Sequence, residues 1–219
     1  MIRIIQKHKL FFGVYAFLLS LSGVILMLFE KKDIHLFING IHHHFLDLFF
    51  KYFTYVGDGF AIVAVALISL FISKRLSLQI ILTGVLVGII SQFFKKVVFG
   101  PVPRPSAYFE QLDIPLYLVN NVDMHAAFSF PSGHTTAIFG LTTALLLAQK
   151  NAKFDFILIT IAFLVGYSRM YLSQHFLIDV FAGSILGVLI AISVYKLLYS
   201  SKMKLYTKLD QPLINFNTK

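Results

Sequence analysis

The chain has no cysteine, and only 13% of its 219 residues are charged. Without cysteine there is neither a disulfide framework nor a thiolate metal site. With so little charge there is too little polar surface to coat a soluble domain of this length. Acids are scarcest: ten Asp and Glu stand against nineteen Lys and Arg, a net charge of +9. Nucleic-acid binding is one reading of that balance, but the placement of the cations argues for membrane orientation instead. What is abundant is apolar. Hydrophobic residues make up 58%, with 24 Phe and 10 Tyr, and the mean hydropathy is +0.79. This is the composition of an integral membrane protein. Its aromatics read as lipid-facing bulk and interfacial girdle rather than as a cofactor box.

Six apolar stretches can be marked, at about 10–29, 59–73, 77–99, 134–149, 154–172 and 176–199. The first follows a basic start and superficially resembles a signal peptide. It has the length of a full span and no small-residue cleavage site after it, so a retained first helix is expected. Asp58 between two glycines is placed to cap the second. Ahead of it, Phe45, Leu48, Phe49, Tyr52, Phe53 and Val56 recur at helical spacing, with Asp47 and Lys51 off that stripe. That pattern predicts an interfacial amphipathic helix, lying on the membrane or packed on the bundle. The stretch 100–131 carries prolines, three acids and two asparagines and is an extramembrane loop. No internal repeat is present. The expectation is one all-α domain over 1–219, a six-transmembrane-helix bundle with the amphipathic helix on its N-terminal side.

Orientation follows from the charges. With the N-terminus inside, Arg3, Lys7, Lys9, Lys74, Arg75, Lys150, Lys153, Lys196, Lys202, Lys204, Lys208 and Lys219 are inside, against Asp155 and Asp210. Outside, seven basic residues meet eight acids. The positive-inside rule therefore places both termini in the cytoplasm. Lys31, Lys32 and Lys51 are ordinary outer charges. Lys95, Lys96, Arg104 and Arg169 are not, because they fall in segments with unusual loop chemistry.

Those segments are "SQFFKKVVFGPVPRP" (91–105), "FSFPSGHTTAIFG" (128–140) and "GYSRMYLSQHFLIDVFAG" (166–183). In a six-span layout all three lie at outer helix ends and can converge on one pocket. Pro131 suits a first helical turn, and Gly133 lets a ligand approach the backbone. The free N–H groups and dipole of that helix start favour an anion. Ser132 adds a hydroxyl donor, and His134 sits in the first turn. His175 and Asp179 are four residues apart, on one helix face. The carboxylate can fix one imidazole nitrogen and leave the other as nucleophile or base. An acid one turn inside an apolar helix is costly and has to be paired. Arg169 offers a planar fork for phosphate oxygens. One Asp and two His make no metal cage, and the consecutive His42, His43 and His44 would point in different directions along a helix. His125 reads as a surface residue. The inventory suits imidazole attack on a phosphoryl group held by cations, with the second histidine protonating the leaving alkoxide.

At these residues the chain closely resembles the type 2 phosphatidic acid phosphatase superfamily. That family's signature is Lys, six residues and Arg-Pro; then Pro-Ser-Gly-His; then Ser-Arg, five residues, His, three residues and Asp. Pro131–His134 and Ser168–Asp179 match the second and third motifs. The first departs: seven residues separate Lys96 from Arg104, and eight separate Lys95. One extra residue can be absorbed by the "FGPVP" turn, which favours Lys96 as the ligand. The resemblance implies that His175 is the nucleophile, that Asp179 orients it, and that His134 is the general acid. It implies that Lys96, Arg104, Ser132, Gly133 and Arg169 bind the phosphoryl oxygens, with no metal and no cofactor.

The expected protein is a lipid phosphatase of a bacterial cytoplasmic membrane with its site on the outer face, where headgroups sit. Undecaprenyl diphosphate, lipid A, phosphatidylglycerophosphate and phosphatidate are candidate substrates. A phosphotransferase passing the same phosphohistidine to another lipid is one alternative. A non-catalytic anion-binding membrane protein is another, and the oriented imidazole argues against it.

Overall fold

The computed structural model describes residues 2–149, 152–199 and 207–214, and every regular element among them is helical. In chain order these are α1 (Ile2–Lys7), α2 (Lys9–Leu28), α3 (Lys31–Asn39), α4 (His44–Phe53), α5 (Gly59–Ser69), α6 (Lys74–Phe93), α7 (Pro105–Glu110), α8 (Gly133–Ala148), α9 (Asp155–Tyr171) and α10 (Leu177–Leu198). A 3₁₀ turn (Thr54–Gly57) joins α4 to α5, and a π turn (Phe94–Val98) prolongs α6. Lys150, Lys202, Lys204 and Lys219, counted above as inside cations, lie outside the described residues.

Three of these helices are long and apolar enough to cross a membrane: Lys9–Leu28, α6 with its π turn (Lys74–Val98), and Leu177–Leu198. The pair His44–Gly57 and Gly59–Ser69, bent by 56°, makes a fourth when counted as one span. The protein is an integral membrane protein. Of the other expected spans, α5 is 11 residues long, α8 is 16 and α9 is 17. At 1.5 Å per residue these fall short of the ~30 Å hydrocarbon thickness.

Helix α8 is the axis of the bundle. Nearly every side chain from Thr135 to Leu147 is buried, against α6, α9 and α10. Ile138, Ala144 and Leu146 meet Ile80 of α6, Ile159 and Ala162 of α9 and Ala191 of α10 in one apolar core. Its threonines are buried too, and Thr136 and Thr142 hydrogen-bond to carbonyls one turn back, at 2.8 and 2.9 Å. α10 lies so close to α8 that side chains are excluded. A Cβ on Gly183 would sit 2.8 Å from the Ser132 carbonyl, and one on Gly187 would sit 2.8 Å from the Gly140 nitrogen. Two glycines four apart thus let backbone meet backbone, the small-residue packing of membrane helices.

The apolar stripe expected on residues 45–56 does lie on a helix, but it faces outward. Phe45, Leu48 and Tyr52 are exposed, whereas Asp47 is buried and accepts hydrogen bonds from Tyr171 (2.6 Å) and Tyr117 (2.7 Å). Phe50 packs on Tyr167 and Tyr171 of α9. In an apolar solvent the polar side turns inward, because water is not there to take it. Of the three consecutive histidines, His43 caps α4 by accepting from the Phe45 N–H at 3.2 Å, and His42 stacks on Tyr117. Asp58 caps α5, as expected.

At one end of the bundle the two acids assigned to the inner side are both paired. Asp155 meets His8 at 2.7 Å, both buried, and Asp210 holds the buried Arg75 at 2.6 Å. At the other end, α6 finishes, α8 and α10 begin, and α9 finishes. That end holds the three motif segments.

Candidate active site

Each segment is delivered by local structure. The Arg104 loop leaves α6 through Gly100, whose φ of +69° suits glycine. Arg104 then caps α7, with Pro105 at its first position. The 128–132 segment passes through a cis Phe130–Pro131 bond and ends on Ser132, the cap of α8. The turn from α9 to α10 closes on Ser173, a left-handed residue at φ +52°. That turn lets the Arg169 carbonyl accept from both Gln174 (2.9 Å) and His175 (3.0 Å). Asp179, three residues into α10, accepts from the Phe176 N–H at 2.9 Å, and this fixes the start of the helix.

Backbone hydrogen bonds then tie the segments together. Arg104 N–H donates to the Ala126 carbonyl (2.9 Å), Ser129 N–H to Val102 (3.0 Å), and Ser132 N–H to Asp179 (3.0 Å). The expected residues gather at this junction. His175 and Asp179 are almost fully buried, with Nδ1 3.3 Å from Oδ2. The carboxylate accepts there, so Nδ1 carries the proton and Nε2 keeps its lone pair. His134 lies within electrostatic reach of Arg169, His175, Lys95 and Arg104. Burial first, and then the positive charges of Arg104, Arg169 and Lys95, hold the His175 imidazole well below its ordinary pKa. That keeps it neutral.

The lysine is the point at which the structure departs from the spacing. Lys96 is exposed. Lys95 is buried, and its Nζ lies 3.7 Å from where a Cβ on Gly133 would be. The buried face of α6 carries on into the π turn over Phe94–Val98: Val87, Ser91 and Lys95 follow at four-residue steps and are all buried, which leaves Lys96 off that face.

The cations are buried yet lack acidic partners. Among the described residues none of Lys95, Arg104 and Arg169 has a carboxylate within ion-pair distance. Arg104 is aimed by neutral groups, the Ala127 carbonyl (3.0 Å) and the Gln174 side-chain oxygen (3.0 Å). Arg169 donates to the Thr54 hydroxyl at 2.7 Å, and its buried Nε has no partner among the described residues. Buried cations without counter-ions are costly unless an anion joins them. The N–H groups of Gly133 and His134 head α8, where first-turn groups have no intrahelical acceptor. Ser132 accepts from Thr135, backbone and side chain, and its own proton is spent in neither bond.

Sequence reasoning did not single out four residues of this site. Gln174 aims Arg104, Thr54 holds Arg169, Ser129 donates to Asp179, and His35 reaches Ser173 from α3 at 3.1 Å. The 3₁₀ turn before α5 is also a wall, since a Cβ on Gly57 would stand 3.1 Å from the His134 carbonyl. Each of these contacts joins residues far apart in the chain, and no local pattern announces them.

Comparison with known proteins adds four findings. The profile of the PAP2 superfamily matches residues 74–203, which include all three motif segments. The chain is 28% identical over 194 residues to undecaprenyl-diphosphatase BcrC of Bacillus subtilis, covering 83% of this chain and 92% of that one. It is 29% identical over 175 residues to a lipid A 4'-phosphatase of Porphyromonas gingivalis, covering 76% and 72%. The crystal structure of Aquifex aeolicus LpxE superposes with a TM-score of 0.61 at 32% identity, over 75% of this chain and 93% of that one.

Proposed function

The chain belongs to the PAP2 superfamily, and from that premise we propose that it removes the terminal phosphate of a membrane lipid through a phosphohistidine on His175, without a metal. It is a phosphoric ester or diphosphate hydrolase, and its relatives are lipid phosphatases of membranes. The observation that carries the finer reading is the trio of buried cations, Lys95, Arg104 and Arg169, around two histidines. Among the described residues none of the three has a carboxylate within ion-pair distance, and Asp179 is already engaged by Ser129, Phe176 and His175. Three positive charges and a helix N-terminus suit a phosphoryl group carrying two negative charges.

In the first step Nε2 of His175 attacks phosphorus in line with the ester oxygen. A P–N bond forms as the P–O bond to the lipid breaks, and His134 gives its proton to the departing oxygen. Asp179 holds the Nδ1 proton and stabilises the charge that builds on the ring. In the second step His134 takes a proton from water, the oxygen of which attacks phosphorus. The P–N bond breaks and inorganic phosphate leaves. Lys95, Arg104, Arg169 and the Gly133 and Ser132 donors hold the equatorial oxygens throughout.

A lipid substrate fits the position of the site, at the ends of apolar helices where headgroups lie. We place those ends on the outer face of a bacterial cytoplasmic membrane, with both termini inside, on the charge count. We also read α5, α8 and α9 as crossing with the longer helices. Short helices buried in a bundle need less length of their own where capping loops complete the span.

The test is phosphate release by the purified protein in detergent, with chelator, over undecaprenyl diphosphate, lipid A, phosphatidylglycerophosphate and phosphatidate. Release from at least one of them, abolished in His175→Ala, is expected. Activity that survives His175→Ala, or that chelator removes, overturns the mechanism. Phosphate that appears on a second lipid rather than in solution identifies a transferase.

A further inference from the structure

Ser129 lies outside the three motifs, yet it is fully buried where their segments meet. Its N–H donates to the Val102 carbonyl at 3.0 Å, tying it to the Arg104 loop. Its hydroxyl donates to Asp179 Oδ2 and lies 3.5 Å from His175 Nδ1. The same Oδ2 accepts from Phe176 N–H at 2.9 Å and faces His175 Nδ1 at 3.3 Å. One carboxylate oxygen thus serves three donors with two lone pairs, so the donors compete. The Ser129 bond is the shortest of the three, and the His175 bond is the longest.

We propose that Ser129 is a positioning residue for His175: its hydroxyl takes part of Asp179 away from the imidazole and so sets how firmly the carboxylate grips the ring. The proposal rests on the reading of His175 as the nucleophile. A ring gripped too firmly would be pulled towards Asp179 and away from phosphorus. It would also hold a second proton more readily and lose its attacking lone pair. Ser129 offsets both. The other charged and titratable groups around His175 among the described residues are Arg104 from its loop, Lys95 from the π turn after α6, His134 from α8 and Arg169 from α9. His35 of α3 stands behind Ser173. None of these touches Asp179 Oδ2, so Ser129 is placed to act on the grip without altering the phosphate ligands.

The test compares Ser129→Ala, Ser129→Cys and the parent protein by the pH dependence of kcat/KM for phosphate release. Removing the hydroxyl leaves Asp179 more available to an imidazolium. The acid limb in Ser129→Ala is therefore expected to move to higher pH by about half a unit or more. A thiol is a weak donor of similar size, so the limb of Ser129→Cys is expected to fall between the other two. A purely structural role would lower rate or thermal stability and leave the limb in place, and that result overturns the proposal. His175→Ala is measured alongside. If it remains active, the nucleophile reading fails and the proposal fails with it. If it is inactive while the Ser129→Ala limb is unmoved, the proposal alone fails.

Discussion

Lys95 and Lys96 are adjacent, and replacing each by methionine separates what the structure says from what the spacing says. Lys95 is buried beside Gly133, and Lys96 is exposed. A hydrogen bond from a charged donor is worth about 1.5–3 kcal/mol. Removing a donor from a developing oxyanion costs about 2.7–4 kcal/mol. At about 1.4 kcal/mol per factor of ten, Lys95→Met should lower kcat/KM by roughly 10²–10³-fold. Lys96→Met should stay within about twofold, the range of surface substitutions. Stability adds a second reading of opposite sign. Burial and then Arg104 disfavour the Lys95 charge, Asp179 attracts it more weakly than Arg104 repels it, Arg169 adds to the repulsion, and no carboxylate among the described residues lies within ion-pair distance. Replacing it with an apolar side chain of similar length removes repulsion and desolvation, for a gain on the order of 1 kcal/mol. For a chain of this size that is a rise in Tm of about 2–4 °C. The assays are phosphate release from the best lipid of the panel and thermal unfolding in detergent without phosphate. Activity down with stability up is the signature of a residue that serves a ligand rather than the fold. Lys96→Met falling further than Lys95→Met, or Lys95→Met losing stability together with activity, would refute the reasoning.

Two further outcomes follow. His175 is held well below its ordinary pKa by burial and then by three cations, and it attacks only when neutral. The acid limb of kcat/KM, corrected for ionisation of the lipid phosphate, is therefore expected below about pH 6.5; a His175-dependent limb above that value contradicts the site's electrostatics. Gly187→Ala puts a Cβ 2.8 Å from the Gly140 nitrogen and 3.1 Å from the Phe139 Cβ, whereas Gly88→Ala in α6 meets nothing within 4 Å. Gly187→Ala should cost about 1–3 kcal/mol of stability by overpacking and Gly88→Ala none; equal melting temperatures in the two variants would dismiss the close α8–α10 contact.

What could be read from the chain alone was local. The apolar runs announced helices because a period of 3.6 is written in consecutive residues. Ser132 caps α8 and His134 sits in its first turn, as their chemistry suggested, whereas Pro131 precedes the cap and His175 precedes α10, meeting Asp179 from outside the helix rather than along one of its faces. The family resemblance was legible through these short segments. What only the tertiary structure decided depends on phase or on distance. Lys95 continues the buried face of α6 through Val87 and Ser91 and lies inward, where the motif spacing favoured Lys96. The stripe on α4 was visible, but its direction was not: the bundle buries Asp47 and leaves Phe45, Leu48 and Tyr52 outside. Ser129 meets Asp179 across 50 residues, Gln174 meets Arg104 across 70, and Thr54 meets Arg169 across 115. Nothing in a sequence period encodes such pairs. They exist because packing brings helix ends together: glycines at 183 and 187 let α10 lie against α8, and the Ser132 N–H then donates to the Asp179 carbonyl beside Ser129.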